Sequence, residues 1–183
     1  MGKQFPAIDD KHREFIARQK IFFTGSAAAN SRINISPRGT DALRVLDANT
    51  VVYRDLTGSG NETAAHMLAD GRLTIMLCAV DGPPLIMRLY GQGRILLKDT
   101  PEFGALLASA YGGEAPLGTR QLVVLDVDLV QTSCGFGVPL FEHTGERASI
   151  QNWAEAKGED GLETYRRANN AVSLDGLPTG MFD

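Results

Sequence analysis

The chain has 183 residues, 43% of them hydrophobic and 22% charged, which suits a single domain with its own core. Its formal net charge of -4 and pI near 5.4 argue against a general nucleic-acid binder, which carries a basic face. No apolar run approaches the roughly 20 residues of a membrane span, and the N-terminus lacks the apolar segment of a secretory leader, so the expectation is a cytoplasmic protein.

In chain order, residues about 9–19 read as a helix capped by Asp9 or Asp10, with Phe15 and Ile16 on its apolar face. "KIFFTGSA" reads as a short strand broken at Gly25. "SRINIS" alternates as a strand and is expected to stop at Pro37 and Gly39. "TVVYRDL" is rich in β-branched and aromatic residues and reads as the next strand. "ETAAHMLAD" is helical, with Gly71 placed to close it. "RLTIMLCAV" is a nearly continuous apolar strand with Cys78 expected in the core. "LIMRLYGQGRILL" follows, bent or bulged at Gly91 and Gly93.

"PEFGALLASAYGG" reads as a helix with Pro101 in its first turn, and "RQLVVLDVDLVQTS" as a long strand. Residues about 147–183 form a helical tail, two short helices separated around Gly158 and Gly161 and then a turn-rich end. Trp153 is expected to anchor these helices. About six strands occur in runs and do not alternate with helices, which favours a small, mostly antiparallel barrel with peripheral helices over a doubly wound sheet.

Composition draws attention to "LTGSGNETAAH", residues 56–66. Small residues before a helix suit ordinary turn and cap chemistry at Asn61 or Thr63. The sharper reading is an anion held on free helix amides, with Ser59, Asn61 and Thr63 adding side-chain donors. The loop has no lysine, so it is not the phosphate loop of an NTPase, and its glycine spacing is not the dinucleotide fingerprint. A phosphate here needs an arginine from elsewhere. "RINISPRG", one strand earlier, offers Arg38, whose planar fork suits phosphate.

Taken together, "NISPRGTDALRVLD", "VVYRDLTGSGNETAAHM", "PLIMRLYGQGRI", "QTSCGFGVP" and "NNAVSLDGLP" resemble the pyridoxamine 5′-phosphate oxidase-related FMN-binding split-barrel proteins, most of all a bacterial branch of them. The likeness runs from about residue 10 to 178. It implies a six-stranded antiparallel split β-barrel, mainly β with peripheral helices, that forms a homodimer with FMN at the interface. By that resemblance Arg38, Ser59, Asn61 and Thr63 hold the flavin phosphate, and Asn34, Ile35 and Ser36 run under the flavin. Asp55 approaches the ring or ribityl chain, and Arg88, sharing a strand face with Ile86, is a donor to the ring or its phosphate.

FMN would carry the redox chemistry on a small-molecule substrate. Split-barrel relatives also include haem-binding and F420-using proteins, and His143 in "LFEHTGE" is the histidine placed to serve as a haem ligand. The tail has no Arg or His after Arg167, unlike the basic, histidine-bearing end of the true vitamin B6 oxidases. That argues against pyridoxamine phosphate oxidation. His66, four residues after Glu62, is expected to be a structural helix histidine, with a local pair to Glu62 as the other reading. Cys134 is expected to be buried at a strand end, and "SLDGLP" to dock as a tail, with a lid over the partner subunit's flavin as its functional alternative.

Overall fold

The computed structural model describes residues 2–182. Eight antiparallel strands form one sheet: β1 Lys3–Phe5, β2 Ile21–Ser26, β3 Asn34–Gly39, β4 Leu43–Val45, β5 Thr50–Leu56, β6 Arg72–Cys78, β7 Ile86–Leu97 and β8 Thr119–Ser133. Their order is β3-β2-β6-β7-β8-β5-β4, with β1 added beside the far half of β8. This is the antiparallel split-barrel architecture expected. The six long strands are those the periodicity predicts; β1 and β4 are three-residue additions too short to carry a pattern.

Four helices flank the sheet: α1 Asp10–Arg18, α2 Glu62–Ala69, α3 Pro101–Tyr111 and α4 Ser149–Asn169. In α1, Asp9 accepts from the His12 amide at 2.9 Å, and the His12 ring accepts from the Asp9 amide. That reciprocal box satisfies two amides the helix start leaves open. α2 ends as predicted at Gly71, whose φ of 89° only glycine adopts freely, and whose N–H closes on His66 O. Within α4, Gly158 has φ 64° and ψ 175°, so the tail is two helices hinged there, while Gly161 lies inside the second. Among the described residues, no helix is long and apolar enough to cross a membrane.

Two strand expectations are corrected. β2 runs through Gly25 to Ser26, because the ladders to β3 and β6 continue past that residue. β3 runs through Pro37 and Arg38 to Gly39. It is an edge strand, bonded only to β2, and an edge tolerates the missing proline N–H.

The main core lies between Phe22, Tyr53, Ile75, Leu77, Met87, Leu89 and Leu125. A second cluster packs Phe103, Leu107 and Tyr111 of α3 on Val52, Leu122 and Val124. The bend expected at Gly91 is present. The pairing of β7 with β8 shifts between Tyr90 and Gly91, leaving Asp128 as the extra residue. A Cβ on Gly91 would stand 1.9 Å from Asp126 O, and one on Gly93 would stand 2.2 Å from Met67 Sδ. The two glycines therefore let β8 and α2 close onto β7. This seats α2, and the loop that opens it, beside β2 and β3.

Candidate functional site

The loop Thr57–Asn61 joins the end of β5 to α2 and faces the end of β3. Between them runs a groove of about 1290 Å³. Its floor includes Asn34, Ser36 and Arg38 of β3, and Ser59, Asn61 and Thr63 from the loop and α2. Six of the nine residues expected at the site are thus brought together. Thr63 Oγ1 accepts from Asn34 Nδ2 at 3.2 Å, and Ser36 Oγ donates to Asn34 Oδ1 at 3.3 Å.

The other three stand apart from the groove lining. Ile35 points away from it and is 67% exposed, as alternation along β3 requires. Arg88 lies on β7 with Nη1 3.5 Å from Ser133 Oγ. Asp55 sits buried behind the groove, where it organises charge and presents no surface.

Asp55 is clamped between two guanidiniums. Arg38 Nη1 is 2.5 Å from its Oδ1, and Arg120 Nε donates to its Oδ2 at 2.8 Å. Gln121 Nε2 donates to the same Oδ2 at 2.8 Å and to Asn61 Oδ1 at 2.9 Å. Consecutive strand residues normally face opposite ways. Here β8 carries an extra residue, Arg120, opposite the step from Asp55 to Leu56. The bulge turns both Arg120 and Gln121 onto one carboxylate.

Burial alone would push the Asp55 carboxyl up, but Arg120 and Arg38, with hydrogen bonds from Arg120 and Gln121, hold it below the usual carboxylate range. For Arg38, burial opposes the charge and Asp55 more than restores it, so its pKa is raised. Arg38 also lies over the Tyr53 ring, 4.9 Å from its centre, and burial pushes that phenol up to about 12. Within this cluster of Arg38, Asp55 and Arg120, two cations and one anion leave a single net positive charge beside the loop. It is shared by Arg38 and Arg120, not carried by Arg38 alone.

The loop itself is held from the protein side. Thr57 Oγ1 donates to Gly118 O at 2.8 Å and accepts from Arg166 Nε at 2.9 Å. Asn170 Nδ2 donates to Gly58 O at 3.1 Å, and Arg120 Nη1 donates to Gly60 O at 2.9 Å and to Asn170 Oδ1 at 2.8 Å. Asn61 stands at the N-cap position but makes no capping bond. Its oxygen is taken by Gln121, and its buried Nδ2 has no partner among the described residues. A buried amide donor without a partner, beside helix amides without a side-chain cap, is chemistry suited to an anion.

The single-residue expectations fare differently. His66 is the buried structural helix histidine expected, its Nδ1 3.0 Å from the buried Ser26 Oγ, and the alternative pair with Glu62 is not made: Glu62 accepts from the Leu174 amide. Cys134 is exposed and Cys78 half-buried against the groove, with burial pushing the Cys78 thiol up. His143 lines the groove mouth with Nε2 3.1 Å from Glu146 Oε1. Trp153 anchors the tail helices as expected, edge-on to Tyr165 at 5.0 Å. The "SLDGLP" tail docks on its own chain through the Arg32–Asp175 ion pair, the Leu174 amide and a bridge between Val172 and Pro178.

An antiparallel split barrel with a polar, arginine-backed loop beside a groove is the class of protein these features define. The chain belongs to the pyridoxamine 5′-phosphate oxidase family, whose defining pattern matches residues 8–134. It is 36% identical over 192 residues to the pyridoxamine 5′-phosphate oxidase family protein ustO of Aspergillus flavus, a match spanning 95% of this chain and 76% of that one. In structure it is similar to HupZ of Group A Streptococcus, with TM-score 0.56 at 18% identity over 69% of this chain and 99% of that one. It is also similar to an FAD-binding protein of Mesorhizobium loti, with TM-score 0.50 at 9% identity over 72% and 97% of the two chains.

Proposed function

We propose that this chain is an FMN-binding flavoprotein of the cytoplasm that oxidises or reduces a small molecule, working as a homodimer with the flavin at the interface. The observation that carries the reading is the open anion site: uncapped α2 amides and the unpartnered Asn61 Nδ2, backed by Arg38 and Arg120. A groove of about 1290 Å³ exceeds the roughly 300–1,000 Å³ of ordinary ligand pockets, leaving room for a ring system beyond the phosphate. Family membership and the flavin named for the Mesorhizobium relative support the same choice.

In this reading Ser59, Asn61 and the loop amides take the phosphate, while Arg38 and Arg120 supply the charge. Asn34 and Ser36 line the path of the flavin along β3. Bound FMN supplies the redox chemistry, accepting electrons from one partner and passing them to another. The protein's residues bind it, orient it and keep the phosphate charge balanced.

His143, at the groove mouth with a single carboxylate neighbour, gives the haem alternative its one specific observation. Denaturing the purified protein and identifying the released chromophore by absorbance and mass tests both readings, and F420 as well. Released FMN supports the flavin reading. A Soret band lost in His143→Ala replaces it with haem.

A further inference from the structure

The anion loop has no regular structure of its own, yet it is held at three points from one side. Asn170 takes the Gly58 carbonyl, Arg120 takes the Gly60 carbonyl, and Arg166 takes the Thr57 hydroxyl. Asn170 is 0% exposed and Arg166 is 5% exposed, and neither lines the groove.

A trans peptide holds its C=O and N–H antiparallel. Drawing the Gly58 carbonyl inward to Asn170 therefore turns the Ser59 N–H the opposite way. Drawing the Gly60 carbonyl to Arg120 does the same for the Asn61 N–H. Ser59 and Asn61 both line the groove, and among the described residues neither amide has an acceptor.

The same tail handles a competitor. Glu62 opens α2, where a carboxylate is drawn to the helix amides and would occupy the place of a bound anion. Instead both Glu62 oxygens accept from the Leu174 amide, at 3.1 and 3.0 Å. Leu174 is fixed in turn by the tail turn, in which the Ser173 amide donates to Leu177 O and Thr179 Oγ1 donates to Asn170 O.

Resting on the flavin reading above, we propose that Asn170 and Arg166 are positioning residues for the cofactor phosphate. The carboxyl-terminal segment holds the loop with its amides turned to the groove and the Glu62 carboxylate tied to the Leu174 amide. It thereby sets phosphate affinity without touching the phosphate. The prediction is selective: the tail matters for FMN and not for riboflavin, the same ring system without the phosphate.

The test titrates the full chain, stripped of bound chromophore, with FMN and with riboflavin, following flavin fluorescence. Asn170→Ala is expected to lose about tenfold in FMN affinity, the scale of one charge-assisted contact, while riboflavin affinity stays within about twofold. Thr57→Val, nearly isosteric, removes the oxygen that Arg166 holds and is expected to show the same selective loss. It decides the matter if Asn170→Ala does not fold. An equal fall for both flavins, or unchanged FMN affinity in a folded variant, overturns the positioning role alone. A wild-type chain that binds neither flavin overturns the function reading and this role together.

Discussion

Asp55 is the residue on which the site's electrostatics turn. It is buried, it meets Arg38 and Arg120 on opposite oxygens, and it offers nothing to solvent. Asp55→Asn keeps the shape but leaves two guanidiniums without their anion, a change that typically costs about 3–5 kcal/mol. Urea unfolding at neutral pH checks the loss. The folded-state pKa is depressed, so the Asp55 contribution is fully present above about pH 4, the ordinary carboxylate value. It fades as pH falls through the lower folded value. Wild-type stability should fall steeply in that acid range, and the Asp55→Asn difference should shrink with it. A difference that stays constant down to acid pH would exclude Asp55 as the titrating group.

The same scale bears on the proposed phosphate grip. Ser59 is an exposed loop hydroxyl, whereas Arg38 and Arg120 hold the charge. Arg38→Ala should therefore weaken FMN binding more than Ser59→Ala, by roughly tenfold against a few-fold. A titration giving equal or reversed losses would refute this order.

Between residue and fold, single strands carry the geometry of the site. β3, the anion loop and Arg38 were legible in the sequence because "NISPRG" and "GSGNET" are local chemistry: alternation, turn residues and an arginine at a strand end. Arg120, Gln121, Arg166 and Asn170 were not. Arg120 and Gln121 open an apolar run that reads only as a buried strand, and no periodicity marks the bulge that turns both onto Asp55. Arg166 and Asn170 reach the loop from more than 100 residues away in sequence, a proximity that only the docked tail creates.

Ile35, expected to run under the flavin with its neighbours, is turned by strand alternation onto the outward face of β3 and away from the groove of its own chain. The glycine bend, by contrast, was legible, and it allows a test at this scale. Gly91→Ala forces a Cβ against Asp126 O, backbone that cannot swing aside. It should destabilise the chain by about 2–4 kcal/mol and shift α2 with β7. Thermal unfolding of Gly91→Ala measures this, and a melting point matching wild type would mean that the bulge relaxes freely.

For the whole molecule, the question is what covers the outward face of β3. Ile33 and Ile35 are exposed there, at 74% and 67%. Asp175 pairs with Arg32 just before them, which brings the 75% exposed Leu174 to the same margin of the sheet. Large apolar side chains grouped on an edge strand are a liability in a monomer, both as a sticky patch and as an unpaired strand. A second copy of the chain is the proposed cover, and the groove of each protomer opens along this same strand. Ile35→Lys should leave the protomer folded, because the residue is 67% exposed within it. It should nevertheless convert the proposed dimer to monomer in sedimentation. If the flavin lies at that interface, FMN affinity falls in step with dimerisation and recovers at protein concentrations high enough to restore the dimer. A monomeric variant that binds FMN as tightly as wild type would place the whole cofactor site within one protomer, and the exposed isoleucines would then need another partner.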